Sequence, residues 1–337
     1  MKSPRLVGLI FALIITVAGV GFVASRISEI SDLGAILNEA NVLWLLSCLI
    51  CQAVAFAIGA YVWWRALVVL GTPLPFTPLY GLSVAKLFSD QAVPSAGLSG
   101  AAFLMHALTR RNVSVPIAMT AFVFGAGTFI AAFCLAGVGS IAFLIHMDAT
   151  PEVVIRALRG LIIVTTAVVV ATTVIAASPR FRSILRRHMP DRLKAVRNAT
   201  GPAIDTLRDK WRLFIRLTGV QIAGRCADAA TLACACAALG APVGVIECFV
   251  AVSIGSLAAT VAPLPMGVGP FEGASAAVLT VSGLDIEAAL ASILLFRGFS
   301  LWLPLVPGFA IAQREVLSGN RKMPTGHSSI RRIGENR

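Results

Sequence analysis

The sequence predicts an all-α polytopic membrane protein with about six spanning helices plus two opposed re-entrant hairpins, or about eight helices if the hairpin arms are counted as spans. Of its 337 residues, 57% are hydrophobic and only 13% are charged, and the mean hydropathy is +0.86. Soluble domains are far more polar. The apolar runs are long and continuous, whereas strands of a membrane barrel alternate over about 10 residues. Proline and glycine interrupt two of these runs, at residues 94–100 and 263–272.

The first half of the chain predicts two spans and one hairpin. The spans cover residues 6–24 and 42–65. Trp44 and Trp63 in the second span stand roughly 29 Å apart at 1.5 Å per residue, which matches the thickness of a hydrocarbon core. Residues 73–109 follow, and the break at 94–100 leaves each arm too short to span alone. We therefore predict a re-entrant hairpin that opens to the cytoplasm.

The second half predicts further spans, a basic loop and another hairpin. Residues 113–146 form either one long span with a break near Gly137-Val138-Gly139 or a span followed by a half-helix. The second hairpin covers residues 243–284, is broken at 263–272 and opens outward. The remaining predicted segments are the spans 161–177, 213–239 and 286–313 and the basic loop 179–212.

The charged loops orient the predicted helices in the membrane. Basic residues outnumber acidic ones in the loop 179–212 and in the tail 318–337. The positive-inside rule places this loop and both termini in the cytoplasm, with the protein in a bacterial inner membrane. We predict one membrane-embedded domain, residues 1–317, and a disordered basic tail. Because the hairpins enter from opposite faces, and residues 94–103 resemble 265–277, we predict an inverted repeat.

Ionisable residues inside the apolar segments are the candidate site residues, because a charge at membrane depth is costly. Glu272 follows the second break, where it either contacts the substrate or caps a half-helix through the helix dipole. Arg297 in the last span is placed to pair with Glu272. Two further pairs have helical spacing that puts both members on one face, namely Arg225 with Asp228 and Lys86 with Asp90. The first of these pairs is a candidate for substrate binding, and the second is more typical of structure.

The breaks supply the backbone part of the predicted site. Proline deletes a helix hydrogen bond, and glycine lowers the cost of non-helical backbone. We therefore expect close backbone approach to a substrate at Pro94, Gly97, Pro265, Gly267 and Gly269. The sequence has no Gly-Lys phosphate-binding loop, no Asp-rich magnesium pair and no histidine cluster. We expect no cofactor, no metal ion and no catalytic residue.

The second break carries a resemblance to a known family. It reads Pro263-Leu264-Pro265-Met266-Gly267-Val268-Gly269-Pro270-Phe271-Glu272 and is followed by an Ala-rich helix and by Arg297. With the basic middle loop, this pattern resembles the flippase-like transmembrane domain of lysylphosphatidylglycerol synthases over nearly the whole chain. The resemblance implies movement of aminoacylated phospholipids between leaflets. A separate domain, which we expect to be lacking here, performs the aminoacyl transfer. Ser99-Gly100-Ala101-Ala102-Phe103 departs from relatives that carry acidic and arginine residues there.

These observations predict an integral membrane lipid transporter that binds a phospholipid or another polar lipid at the bilayer midplane. An alternative is a membrane-embedded transferase or an accessory subunit in glycolipid or hopanoid synthesis. We expect membrane lipids as partners, and an anionic phospholipid would contact Arg297 whereas a cationic headgroup would favour Glu272. A lipid-synthesis enzyme and a second copy of the chain are further candidate partners. The net charge of +12 lies in loops that face anionic lipid, so we expect no nucleic acid.

Overall fold

A computed structural model describes residues 40–92, 98–146, 209–261 and 267–318, together with Ile162 and Thr166. All secondary structure in this part of the chain is helical, which confirms the predicted fold class. The helices are α1 (Val42–Val69), α2 (Phe76–Ala92), α3 (Leu98–Thr109), α4 (Val115–His146), α5 (Trp211–Ala238), α6 (Val245–Val261), α7 (Pro270–Val281), α8 (Ile286–Arg297) and α9 (Leu303–Ser318), with a π-helical turn at Gly298–Trp302.

Three helices among the described residues are long and apolar enough to cross a bilayer. They are Val42–Val69, Val115–His146 and the nearly continuous Ile286–Glu315. The Asn41 side chain caps the first of them by accepting a hydrogen bond from Leu43 N at 3.0 Å. This helix continues to Val69, beyond the predicted end at residue 65. The protein is therefore a membrane protein with several spans.

Several sequence predictions lie outside the described residues. They concern the span 6–24, the span 161–177 apart from Ile162 and Thr166, most of the basic loop 179–212, the residues Pro94, Gly97 and Pro265, and the tail 319–337.

The two halves of the chain repeat the same elements in the same order. Helices α1 and α5 each have 28 residues, α2 and α6 each have 17, and α3 and α7 each have 12. The turns that follow the 28-residue helices read Leu70-Gly71-Thr72-Pro73 and Leu239-Gly240-Ala241-Pro242. The φ angles are +78° at Gly71 and +74° at Gly240, a backbone region that glycine adopts without penalty. A long helix then closes each half.

Helices α1 and α5 pack against each other in opposite directions. Asn41 N at the start of α1 donates to Ala238 O at the end of α5, at 2.9 Å. Further along, Cys48 Sγ lies 3.5 Å from Thr231 O. These two equivalent helices therefore run antiparallel, as an inverted repeat requires. The opposed hairpins themselves stay a prediction.

The last helix of each half packs on the hairpin of the other half. Gly308 of α9 lies against α2, where an added Cβ would come 2.9 Å from Phe88 Cβ and 2.9 Å from Val84 O. Gly137 of α4 lies against α6, where an added Cβ would come 2.9 Å from Leu257 Cδ1. Gly137 and Gly308 occupy matching positions in the two halves. This exchange of helices ties the halves into one structure.

The predicted break near Gly137-Val138-Gly139 is wrong, because α4 is one continuous helix of 32 residues. The physical reason is the packing of Gly137, which permits close approach to Leu257. Glycine in a helix costs about 0.5–1 kcal/mol relative to alanine but does not by itself interrupt the hydrogen bonds. Gly137 is therefore typical of helix packing rather than of a half-helix.

The last span contains a π-helical turn that the sequence analysis did not predict. Leu303 N donates to Gly298 O, five residues earlier. Pro304 has no N–H to donate one turn back, so the regular hydrogen-bond ladder is interrupted at this point. The turn follows directly after Arg297 and carries Ser300 and Leu301 to the central cavity described below.

Three alanine substitutions test this packing. Gly139→Ala is expected to raise the free energy of unfolding by about 0.5–1 kcal/mol, because no atom lies within 4 Å of the new Cβ. Gly308→Ala is expected to lower it by about 1–3 kcal/mol, because the backbone oxygen of Val84 cannot move aside. The change in the free energy of unfolding for Gly137→Ala should lie between these two values, because the Leu257 side chain can rotate away from the new methyl group. Unfolding titrations in mixed micelles measure all three, and a destabilising Gly139→Ala would contradict the continuous helix.

Candidate functional site

A cavity of about 720 Å³ lies where the two halves meet. Its wall includes residues from the middle of α1, such as Gln52, Phe56 and Ile58, and from the middle of α5, such as Gln221 and Arg225. Of these two helices, α1 is long and apolar enough to cross a bilayer. Helices α2, α4, α6, α7 and α8 and the π-helical turn complete the wall among the described residues. The further charged residues that line it are Lys86, Asp90, Asp228 and Arg297.

Glu272 is the third residue of α7 and performs two structural tasks. Gly269 N donates to Glu272 Oε2 at 2.6 Å, which caps the start of the helix. Arg297 Nε donates to Glu272 Oε1 at 2.7 Å. The predicted pairing of Glu272 with Arg297 is therefore confirmed, and so is the alternative that Glu272 caps a half-helix. Its role in binding substrate stays a prediction.

Arg297 is enclosed between the ion pair and aromatic rings. Its guanidinium carbon lies 4.4 Å from the centroid of the Phe271 ring, and Phe271 stacks on Phe296 with centroids 6.0 Å apart. Only 8% of Arg297 is exposed. Because the arginine is held on several sides, it presents a fixed edge to the cavity, and cation–π contact of this kind is stronger when desolvated.

Asp90 in the first hairpin is arranged in much the same way as Glu272. Lys86 Nζ lies 2.7 Å from Asp90 Oδ2, which confirms the predicted pair. Gly100 N, the third residue of α3, donates to Asp90 Oδ1 at 2.8 Å. Ser99 Oγ also donates to Ser89 O at 2.8 Å. These bonds tie the two arms of the hairpin together across the break.

The predicted pairing of Arg225 with Asp228 holds only as an electrostatic interaction between neighbouring charges, because the two side chains form no direct ion pair. Arg225 Nη1 instead donates to Ser256 Oγ at 3.2 Å, and its guanidinium carbon lies 5.1 Å from the centroid of the Phe133 ring. The Asp228 carboxylate is within hydrogen-bonding reach of the Gln52 side chain. Spacing by three residues puts both groups on one face of α5, but that face meets other helices on either side. Each side chain therefore extends to a different neighbour.

The two glycines of the second break serve different purposes. Gly267 has φ +63°, and an added Cβ would lie 2.2 Å from Ala259 Cβ. The backbone at Gly267 therefore approaches α6 closely, whereas the sequence analysis expected it to approach a substrate. Gly269 has φ +91° and open space beside it. Both positions therefore need the backbone freedom of glycine.

The sequence analysis missed two polar features of this region. Gln52 of α1 and Gln221 of α5 both line the cavity at matching positions of the repeat, and aligning the two Leu-Gly-x-Pro turns would have found them. Arg111 at the end of the first hairpin forms two hydrogen bonds to Glu315 of α9, at 3.0 Å and 2.5 Å. No sequence signal pairs these residues, since they are far apart in the chain.

Two acidic residues at the site are fully engaged in hydrogen bonds. In the part of the chain that the structure describes, no three His, Cys, Asp or Glu residues are placed to hold a metal ion. The carboxylates of Asp90 and Glu272 each have both oxygens engaged in hydrogen bonds. Such a cavity can hold a polar group away from water.

Comparison with known protein families identifies a match. The family model described as "Lysylphosphatidylglycerol synthase TM region" matches residues 6–308. No curated protein matches the chain. The matched region includes both hairpins and every residue named above as lining the cavity.

Proposed function

The chain belongs to the lysylphosphatidylglycerol synthase TM region family, and on this premise we propose that it is a lipid transporter. The central cavity binds the polar headgroup of a membrane lipid and carries it from one leaflet to the other while the acyl chains stay in the bilayer. The protein acts in a bacterial inner membrane with both termini in the cytoplasm. Its partners are membrane lipids.

The observation that carries this proposal is a cavity lined by charged groups between the helices of a membrane protein. Lys86, Arg225 and Arg297 line it from three different helices. Charged side chains at membrane depth are rare and mark the paths of substrates or ions. A volume of about 720 Å³ lies within the range of pockets that enclose small organic molecules. A lipid headgroup is such a molecule, and the surrounding bilayer supplies it.

The inverted repeat supports transport because either hairpin can in principle open the cavity to its own side. The ion pair between Arg111 and Glu315 holds the end of the first hairpin against α9. Ser282 and Gly283, which carry no charge, stand at the matching end of the second hairpin. In the proposal, the end of the first hairpin is released when the end of the second becomes held, so that the cavity opens to one side of the membrane at a time, as in other transporters with inverted repeats.

Two of the three carboxylates beside the cavity, Asp90 and Glu272, favour transport over a transferase. A general base must be able to accept a proton from the reacting group. Glu272 has one oxygen bound by Gly269 N and the other by Arg297, and both oxygens of Asp90 are likewise engaged. Such carboxylates hold structure together and are poorly placed to react. The transferase alternative therefore has less support than transport.

A lipid translocation assay with the purified protein tests the proposal. Vesicles contain a trace of one lipid labelled on an acyl chain, and an external reductant reports how fast the label reaches the outer leaflet. Phosphatidylglycerol, lysylphosphatidylglycerol, phosphatidylethanolamine and glucosyl diacylglycerol are tested in turn. At least one of them is expected to cross about 10-fold faster than in vesicles without protein, as expected if binding offsets a few kcal/mol of desolvation.

Arg225 supplies the variant for this assay. Arg225→Gln is expected to slow translocation by about 10-fold, because a charged hydrogen-bond donor is worth about 1.5–3 kcal/mol. Arg212→Gln is the matched control, since Arg212 is exposed at the start of α5 and its guanidinium lies 5.5 Å from the Trp211 ring. The proposal fails if no lipid crosses faster with the protein than without it, or if both variants have the same effect.

A further inference from the structure

We propose that the headgroup bound in the central cavity is uncharged and rich in hydroxyl groups, as in a glycosyl or polyol lipid. This inference rests on the proposed function and specifies its substrate class. It follows from three properties of the cavity, namely its charge balance, its unused hydrogen-bonding groups and its aromatic wall.

The charges around the cavity balance one another. Three cations and three carboxylates belong to this region. Lys86 pairs with Asp90 at 2.7 Å, and Arg297 pairs with Glu272 at 2.7 Å. Arg225 and Asp228 add one charge of each sign.

A net charge on the headgroup would therefore have no excess of opposite charge to meet it. Binding such a group at Lys86 or Arg297 would require an ion pair to open, and a partner left behind in a low-dielectric cavity is strongly unfavourable. An anion at Arg225 would have to compete with the neighbouring Asp228 carboxylate. An uncharged headgroup avoids this cost, because every pair stays intact while it binds.

The hydrogen-bonding groups that remain unused are neutral. Gln52 Oε1 and Ser83 Oγ are buried and have no hydrogen-bond partner among the described residues, and both side chains line the cavity. Gln52 as a whole is only 6% exposed. Amide and hydroxyl groups both donate and accept hydrogen bonds, which is the pattern that a hydroxyl group complements. Buried polar atoms are normally satisfied, so these atoms indicate a missing hydrogen-bond partner.

The cavity already contains one contact of the kind that the proposal requires. Arg225 Nη1 donates to a hydroxyl oxygen, Ser256 Oγ, at 3.2 Å. Both residues line the cavity, as do Gln221 and Ser300. Hydroxyl groups of a sugar or polyol can take the same place as Ser256 without any change in the charge of the site.

The aromatic wall suits a ring with apolar faces. Trp63 and Phe122 stack with centroids 6.2 Å apart, and Phe129 and Phe133 stack with centroids 6.3 Å apart. All four side chains line the cavity. Ligand sites commonly combine such apolar surface with a few polar groups that fix the orientation of the ligand. A sugar ring presents C–H groups on its faces and hydroxyl groups at its edge, so it fits both parts of this wall.

The test compares headgroups in binding and in translocation. Short-chain glucosyl diacylglycerol, phosphatidylglycerol, lysylphosphatidylglycerol and phosphatidylethanolamine are titrated calorimetrically into the full chain in nanodiscs. Long-chain versions are followed in the vesicle assay. Glucosyl diacylglycerol is expected to bind at least about 10-fold more tightly than the other three, which corresponds to one or two extra hydrogen bonds. Equal or tighter binding of any charged or zwitterionic lipid overturns the inference.

Paired variants show whether the neutral groups are responsible. Gln221→Leu combined with Ser300→Ala is expected to weaken glucosyl diacylglycerol binding by about 10-fold and to leave phosphatidylglycerol binding unchanged. Ser47→Ala combined with Ser282→Ala is the control, because neither serine lines the cavity and each bonds only to a main-chain oxygen four residues earlier. Equal losses for the two pairs would overturn the inference. Tight binding of the glycolipid with no translocation of any lipid would uphold it and refute the proposed transport instead.

Discussion

Replacing Glu272 by glutamine is expected to lower the free energy of unfolding by about 3–5 kcal/mol, the range found when one partner of a buried ion pair is removed. The substitution removes the carboxylate that balances the charge of Arg297, which is only 8% exposed. It also weakens the cap at the start of α7, where Gly269 N donates to Glu272 at 2.6 Å. Unfolding by SDS titration in mixed micelles measures the loss.

Two comparisons separate this effect from a general loss of charge. Glu287→Gln makes the same chemical change at an exposed residue in the first turn of α8 and should change stability by less than about 0.5 kcal/mol. The double variant Glu272→Gln with Arg297→Met removes both charges and should be more stable than Glu272→Gln alone. If the double variant lost the sum of the two single losses, the ion pair would not be the cause.

Replacing Gly267 by alanine is expected to cost about 3 kcal/mol, from an unfavourable backbone angle and from overpacking. Gly267 has φ +63°, and the added Cβ would lie 2.2 Å from Ala259 Cβ and 2.9 Å from Ala259 Cα. The backbone of α6 would have to shift away from the second break. Because α6 and α7 form one wall of the cavity, translocation should fall together with stability.

Gly269→Ala is the matched control for this substitution. Gly269 also has a positive φ, +91°, but nothing lies within 4 Å of an added Cβ. The cost should be limited to the backbone angle, about 1–2 kcal/mol. Thermal unfolding of both variants in one detergent gives the comparison. Equal destabilisation would mean that the contact with Ala259 does not hold the second break in place.

The sequence was sufficient to predict what depends on local composition. Continuous apolar runs predicted the described helices that are long enough to cross a bilayer. Proline with glycine predicted where α2 is divided from α3 and α6 from α7, because these residues act on the backbone around them. The pairing of Lys86 with Asp90 was predictable for the same reason, since four residues of helix bring them together. Glu272 and Arg297 were found because charges are conspicuous in apolar segments.

Predictions that depended on contacts between distant helices were less successful. Arg225 and Asp228 share a face of α5, but neighbouring helices supply their other partners. Ser256 lies on α6 and Gln52 lies on α1. Gly137 resembled a helix break, and only its packing on Leu257 shows that it serves close approach. Gln52 and Ser83 looked unremarkable as single polar residues, and their importance comes from the cavity that the two halves enclose.

The central claim is that a lipid headgroup enters the cavity between the two halves. Photo-crosslinking from p-benzoylphenylalanine at position 56 tests it most directly, because Phe56 lines the cavity. The same group at position 54 is the control, since Val54 on the same helix is 47% exposed. Lipid adducts are then identified by mass spectrometry. The account predicts that adducts from position 56 are enriched in one lipid class and are reduced by Arg225→Gln, whereas position 54 reports the bulk membrane. Adducts of the same composition at both positions, or none at position 56, would contradict it.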